Sequence, residues 1–160
     1  MEAVIFIGVQ GSGKTTFYKE RLFETHVRVS RDMLKTRHRE DLLIAACLAG
    51  KQPFVVDDTN STRSQRAPHI AAAKAAGFRV IGCYFRAELA QALQRNRQRP
   101  KNRVVPPAAV VATHKRLEPP SLSEGFDEIS IVEIDATGDF VMREGEASGL
   151  SSVEPGGERP

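Results

Sequence analysis

Gly8-Val9-Gln10-Gly11-Ser12-Gly13-Lys14-Thr15 is the stretch whose reading decides the fold of this chain. An apolar run, Ala3-Val4-Ile5-Phe6-Ile7, leads into it, and Thr16-Phe17-Tyr18-Lys19-Glu20 leads out of it as a helix. Strand, glycine-rich loop and helix in that order are the context in which G-x-x-x-x-G-K-[ST] cradles a phosphate. Gly8, Gly11 and Gly13 let the backbone turn tightly and approach phosphate oxygens with its N–H groups. Ser12, Thr15 and Thr16 belong to the same cradle, where the helix start adds unpaired N–H donors and the positive end of its dipole. Lys14 supplies a mobile ammonium for the β- and γ-phosphates, and the Thr15 hydroxyl is a candidate ligand for Mg²⁺. With glycine near 7% of average composition, the four fixed positions coincide by chance in roughly half a percent of chains this long. A nucleoside triphosphate is therefore the expected ligand, and the open question is what becomes of its phosphate.

The rest of the composition narrows the class. A length of 160 residues holds one core and no second module of any size. Lys plus Arg exceed Asp plus Glu only by 23 to 20, but the excess is local. Residues 86–116 carry Arg86, Arg95, Arg97, Arg99, Lys101, Arg103, Lys115 and Arg116 against Glu88 alone. Such a stretch inside a near-neutral chain points to an anionic ligand at one place, not to general coating of a polyanion. Cys47 and Cys83 sit among apolar neighbours without metal-ligand spacing, as buried thiols in a reducing compartment do. The N-terminus does not read as a signal peptide, and no apolar stretch approaches membrane-spanning length. The expectation is a cytoplasmic protein without a membrane partner.

Four further strands are expected, over residues 26–30, 53–60, 78–85 and 128–134, separated by helices over 33–49, 62–76, 87–99 and 107–117. The helix over 33–49 would turn Leu42, Leu43, Ala46 and Cys47 to the core. Alternation of strand and helix predicts a three-layer α/β/α sandwich around a parallel sheet of about five strands. Polar residues at the carboxyl ends of such strands lie on the ligand side. That rule singles out Asp32, after Ser30-Arg31, and the run Asp57-Asp58-Thr59-Asn60. An apolar strand ending in aspartate suits the carboxylate beside a nucleotide-bound metal, and Asp58 is the expected residue of the two. The competing role for Asp58 or Asn60 is to cap the next helix. Arg95 and Arg99, four apart, share one helix face and open a lid over about residues 95–106. The kinase domain is expected over residues 1–135, and the Gly-, Ser-, Glu- and Pro-rich remainder, 136–160, as a disordered tail.

These clusters supply a phosphate cradle, a candidate base and charge-neutralising arginines, the parts of a phosphoryl transfer. Together they resemble the 5′-OH polynucleotide kinase domain, the kinase module of phage and bacterial end-healing enzymes. The resemblance runs from Ile5 to about Arg116. It rests on residues 8–16, Ser30-Arg31-Asp32, Asp58-Thr59-Asn60 with Arg63 and Arg66, Gly77-Phe78-Arg79-Val80, and Arg95-Asn96-x-x-Arg99. It implies an enzyme that uses ATP and Mg²⁺ and acts on the 5′-hydroxyl ends of DNA or RNA. Asp32 would be the general base, and Lys14, Arg95 and Arg99 would grip the γ-phosphate. The acceptor's 3′-phosphate would meet Lys35, with Arg37 nearby. The family commonly has arginine where this chain has Lys35, and lysine lacks the bidentate fork. Two other readings remain open: a P-loop kinase of a small alcohol (a sugar acid, nucleoside or antibiotic), or a nucleotide-binding regulatory module.

Overall fold

The apolar run ahead of the glycine-rich loop forms β1, Glu2–Ile7, buried from Ala3 onward. A computed structural model describes residues 1–146. After β1 come α1 (Lys14–Arg21), β2 (Val27–Val29), α2 (Arg31–Leu34), α3 (Arg37–Ala49) and β3 (Phe54–Val56). The chain continues through α4 (Arg63–Ala75), β4 (Arg79–Phe85), α5 (Leu89–Arg97), α6 (Pro107–Arg116), β5 (Glu128–Ile134) and β6 (Phe140–Glu144). The sheet order is β2-β3-β1-β4-β5-β6. The first five strands in that order run parallel, with Val4 opposite Val55 on one side and Ile81 on the other.

A central parallel strand alternates its side chains between two covered faces. Ala3, Ile5 and Ile7 pack with Ile44 and Cys47 of α3 and with Ile70 and Ala73 of α4. Val4 and Phe6 pack on the opposite face with Phe17 and Tyr18 of α1. A smaller cluster of Val9, Ala92 and Val110 seats α5 and α6 beside the glycine-rich loop. The result is the expected three-layer α/β/α architecture, with every loop of interest at the carboxyl edge of the sheet. Both cysteines are buried and unbridged, and burial pushes the Cys83 thiol up to about 12. No helix among the described residues is long and apolar enough to cross a membrane.

Two expectations need correction, and one competing role is not taken. The sheet has a sixth strand: residues 140–144, expected in a disordered tail, pair antiparallel with β5, Ile134 opposite Phe140. The reason is aromatic. Phe140 lies 5.2 Å edge-on to Phe17, which lies 5.3 Å from Phe85, extending a cluster that includes Phe6. Residues 147–160, the remainder of that tail, lie outside the described residues.

The helix expected over 33–49 is two helices. Lys35 adopts φ 73°, and Thr36 caps α3 by accepting from the Arg39 N–H at 3.2 Å. The new helix start turns Ile44 inward and leaves Leu42 exposed. Finally, neither Asp58 nor Asn60 caps α4. Thr62 does, in a reciprocal box with Gln65, and the helix carries Pro68 within it.

Candidate active site

The glycine-rich loop is shaped by what crowds it. Gly11 has φ 80°, and a Cβ there would stand 2.3 Å from the Ala92 carbonyl oxygen of α5. Gly13 has φ 96° and faces Ile134 and Phe140. A side chain at either would push the loop off α5 or off the β5–β6 edge. The Gly8 N–H is held by the Thr59 carbonyl at 3.0 Å, which ties the loop to the end of β3. Beyond Gly13 the first-turn N–H groups of Lys14, Thr15 and Thr16 have no backbone partner among the described residues. The Ser12 hydroxyl is buried and likewise unpartnered. Free donors gathered at a helix start suit a phosphate.

Lys14 is drawn back over this loop. Its Nζ donates to the carbonyls of Gly8 at 2.9 Å and Val9 at 2.8 Å. Crowding by protein atoms pushes the ammonium down to about 8, opposed by Asp57 and Asp58 and assisted by Arg99.

Across the loop the chain places Thr15 beside a carboxylate forty-two residues further on. The Thr15 hydroxyl donates to Asp57 Oδ2 at 3.4 Å, and the Asp57 side chain is only 4% exposed. The carboxylate that meets Thr15 is thus Asp57. Asp58, the residue expected there, lines the same cleft and accepts the Thr59 N–H at 2.8 Å. A hydroxyl and carboxylates are hard oxygen donors, the set that Mg²⁺ takes together with phosphate oxygens and water.

A cleft of about 440 Å³ collects most of the residues singled out from sequence. Gly11, Gly13, Lys14, Thr15 and Thr16 line it together with Asp32, Asp58, Arg95 and Arg99. Gly8 lies beneath the loop. Ser12 lines a neighbouring cavity of about 500 Å³ with Arg86, Glu88, Gln91, His114 and Glu133. Arg95 borders both cavities. Lys35, at φ 73°, and Arg37 line neither.

Buried polar contacts hold the walls. Asp32 sits on the single turn of α2, which is anchored when Arg31 Nε meets Glu40 Oε2 at 3.0 Å. Glu40 is 1% exposed, and His69 lies 3.8 Å from it, its pKa lowered by burial. The segment expected as a lid, residues 95–106, is anchored by Asn96, which is fully buried and lies between Arg95 and Arg99 in sequence. Its Nδ2 donates to the Val105 carbonyl at 2.6 Å and its Oδ1 accepts the Val105 N–H at 3.0 Å. Arg66, also fully buried, makes a two-point pair with Glu124 at 2.8 and 2.9 Å and donates to the Asn60 carbonyl. Asn60 in turn donates to the Phe6 carbonyl, so the β3 end is braced from both sides. Lys19, Arg28 and Arg103 line the cleft too and were not singled out from sequence. Their signal would have been position: Lys19 follows Thr15 by one helical turn, and Arg28 alternates with buried Val29.

A family model described as AAA domain matches residues 4–120, from β1 through α6 and short of β5. The chain belongs to this AAA domain family. Solved structures share the AAA domain's fold at low identity. A gluconokinase from Sinorhizobium meliloti 1021 superposes with a TM-score of 0.60 at 17% identity, over 82% of each chain. Kti12 from Chaetomium thermophilum in complex with ADP-AlF3 gives 0.60 at 17% identity, over 85% of this chain and 92% of that one. An AvrRxo1-ORF1:-ORF2 structure with ATP gives 0.66 at 16% identity, over 88% of this chain but only 57% of that one. This AAA domain thus shares the α/β fold of the gluconokinase and of Kti12.

Proposed function

We propose that this AAA domain transfers the γ-phosphoryl group of ATP to the 5′-hydroxyl of a DNA or RNA end, with Asp32 as general base. The observation that carries the transfer is that Asp32, Lys14, Arg95 and Arg99 line one cleft. In the reaction Asp32 takes the hydroxyl proton as the acceptor oxygen bonds to the γ-phosphorus. The bond to the β,γ-bridging oxygen breaks, and ADP leaves. Lys14 leaves the carbonyls of Gly8 and Val9 for the β- and γ-phosphates. Arg95 and Arg99 offset charge on the transferred group and help to exclude water. Thr15 with Asp57, and Asp58 beside them, would hold Mg²⁺, which would neutralise phosphate charge. The neighbouring cavity, across Arg95 from the cleft, has room for the nucleobase.

Support for a nucleic-acid end comes from the motif set and from the cleft's charge. Lys14, Lys19, Arg28, Arg95, Arg99 and Arg103 face Asp32, Asp57 and Asp58, an excess of cations that suits an anionic acceptor beside a triphosphate. One observation favours a small alcohol instead: Lys35 and Arg37, the residues assigned to the acceptor's 3′-phosphate, lie outside the cleft. Incubation with γ-labelled ATP and Mg²⁺ separates the two. Label should pass to 5′-hydroxyl oligonucleotides and not to 5′-phosphorylated ones. Transfer only to a sugar acid or nucleoside would replace the acceptor, and ATP binding without transfer to any alcohol would overturn the kinase reading.

A further inference from the structure

Arg28 stands where a cation is expected and a side chain is not. Its Nε donates to Asp57 Oδ2 at 2.7 Å, and its Nη2 reaches the Thr15 hydroxyl at 3.4 Å. One guanidinium therefore bridges the hydroxyl and the carboxylate that suit the nucleotide's Mg²⁺. Asp57 has no other ion-pair partner within bonding distance among the described residues, since Lys14 is turned to the loop carbonyls. Without Arg28 a nearly buried carboxylate would face the cleft alone, which is costly.

The same oxygen, Asp57 Oδ2, receives both Arg28 Nε and the Thr15 hydroxyl. A metal or its bound water approaching that oxygen meets an occupied acceptor and a like charge. Arg28 can yield. It lies on β2, the edge strand of the sheet, its side chain is 26% exposed to the cleft, and its guanidinium sits 5.9 Å over the Tyr18 ring.

We propose that Arg28 is an internal counter-ion that holds Thr15 and Asp57 in the nucleotide-free protein and competes with Mg²⁺ for them. Loading of the magnesium nucleotide then displaces the guanidinium. Arg28 is a positioning residue in this role, and the inference rests on reading Thr15 and Asp57 as the metal-facing pair.

The test is calorimetric titration of ADP across a series of Mg²⁺ concentrations, on wild type and Arg28→Gln. In the variant the Mg²⁺ concentration for half-maximal ADP binding should fall by about tenfold, because a like charge no longer stands within reach of the metal. Mg-ADP should also bind at least as tightly as in wild type. Mere loss of a favourable positive charge would weaken ADP with and without Mg²⁺; that result, or an unchanged Mg²⁺ requirement, overturns the proposal. Arg28→Lys should stay close to wild type. Should Arg28→Gln fail to fold, the wild-type protein still decides. The ¹⁵Nε–H resonance of Arg28 should shift and exchange faster with Mg-ADP but not with ADP in EDTA. An unmoved resonance at saturating Mg-ADP overturns the competition alone. If wild type binds no Mg-ADP, the phosphate-site reading fails and takes the proposal with it.

Discussion

Asn96 binds both backbone polar groups of Val105, at 2.6 and 3.0 Å, from a fully buried position between the two lid arginines. Residue 105 closes the lid, so one amide side chain fixes the segment that carries Arg99 and Arg103. Asn96→Leu removes a donor and an acceptor together and strands their partners, a cost of about 2 kcal/mol or more. Urea unfolding should show that loss. Turnover should fall further than ADP affinity, because Arg95 and Arg99 lose their fixed frame while the glycine-rich loop keeps its own. Unchanged stability would mean that the lid is held by something other than Asn96.

Lys14 gives the site a pH dependence of known sign. Burial lowers its pKa in the free protein to about 8, from 10.5 for an ordinary lysine. As pH rises through about 8 the free protein loses this ammonium, so ATP affinity should decline there. Bound phosphates favour the charged form, so binding above that pH should take up a proton. Calorimetry in buffers of different ionisation enthalpy measures the uptake, and Lys14→Met should abolish it. Stability of the free protein responds in the opposite direction. Between about 8 and 10.5 the unfolded chain holds a proton that the folded one has released, so this group makes folding more favourable as pH rises. ATP affinity that stays level from pH 7 to 9.5 would contradict the assignment.

Arg66 and Glu124 form a buried pair, 0% and 6% exposed, that also braces the Asn60 turn. Arg66→Met leaves a buried carboxylate with the Ser121 N–H but no cation, and the expected loss is about 3–5 kcal/mol. Replacing both, Arg66→Met with Glu124→Leu, should recover part of it, the deficit remaining because the carbonyls of Asn60 and Glu118 lose their donor and the Ser121 N–H its acceptor. Denaturant unfolding of the three variants tests this. A double variant no more stable than Arg66→Met would assign the energy to those carbonyls and not to the ion pair.

The parallel sheet was legible because burial on both faces writes itself as unbroken apolar runs, each followed by polar residues at the ligand edge. That is how residues 8–16, Asp32, Arg95 and Arg99 were found. The sixth strand was not legible: four of its five residues are exposed, and its order comes from Phe140 packing on Phe17 of α1. The break at Lys35 had no glycine to announce it. It depends on the Thr36 cap and on the Glu40 contact to Arg31 that pulls α2 against α3. Asp58 and Asp57 both line the cleft, and which of them meets Thr15 was not legible because both follow the end of β3, beyond its regular alternation. The alternation of Arg28 with Val29 and the place of Arg66 in the motif set did not disclose their contacts, because each acquires its role from a partner at least twenty-nine residues away in sequence.

The central claim is that Asp32 and the glycine-rich loop are the two halves of one transfer site, and single-turnover phosphoryl transfer by Asp32→Asn tests it most directly. The variant keeps the shape of the side chain and loses the base. Transfer from γ-labelled ATP should slow by on the order of 10²-fold or more while ATP affinity stays near the wild-type value. Transfer at close to the wild-type rate would contradict the claim, and the acceptor half of the site would have to be sought elsewhere in the cleft.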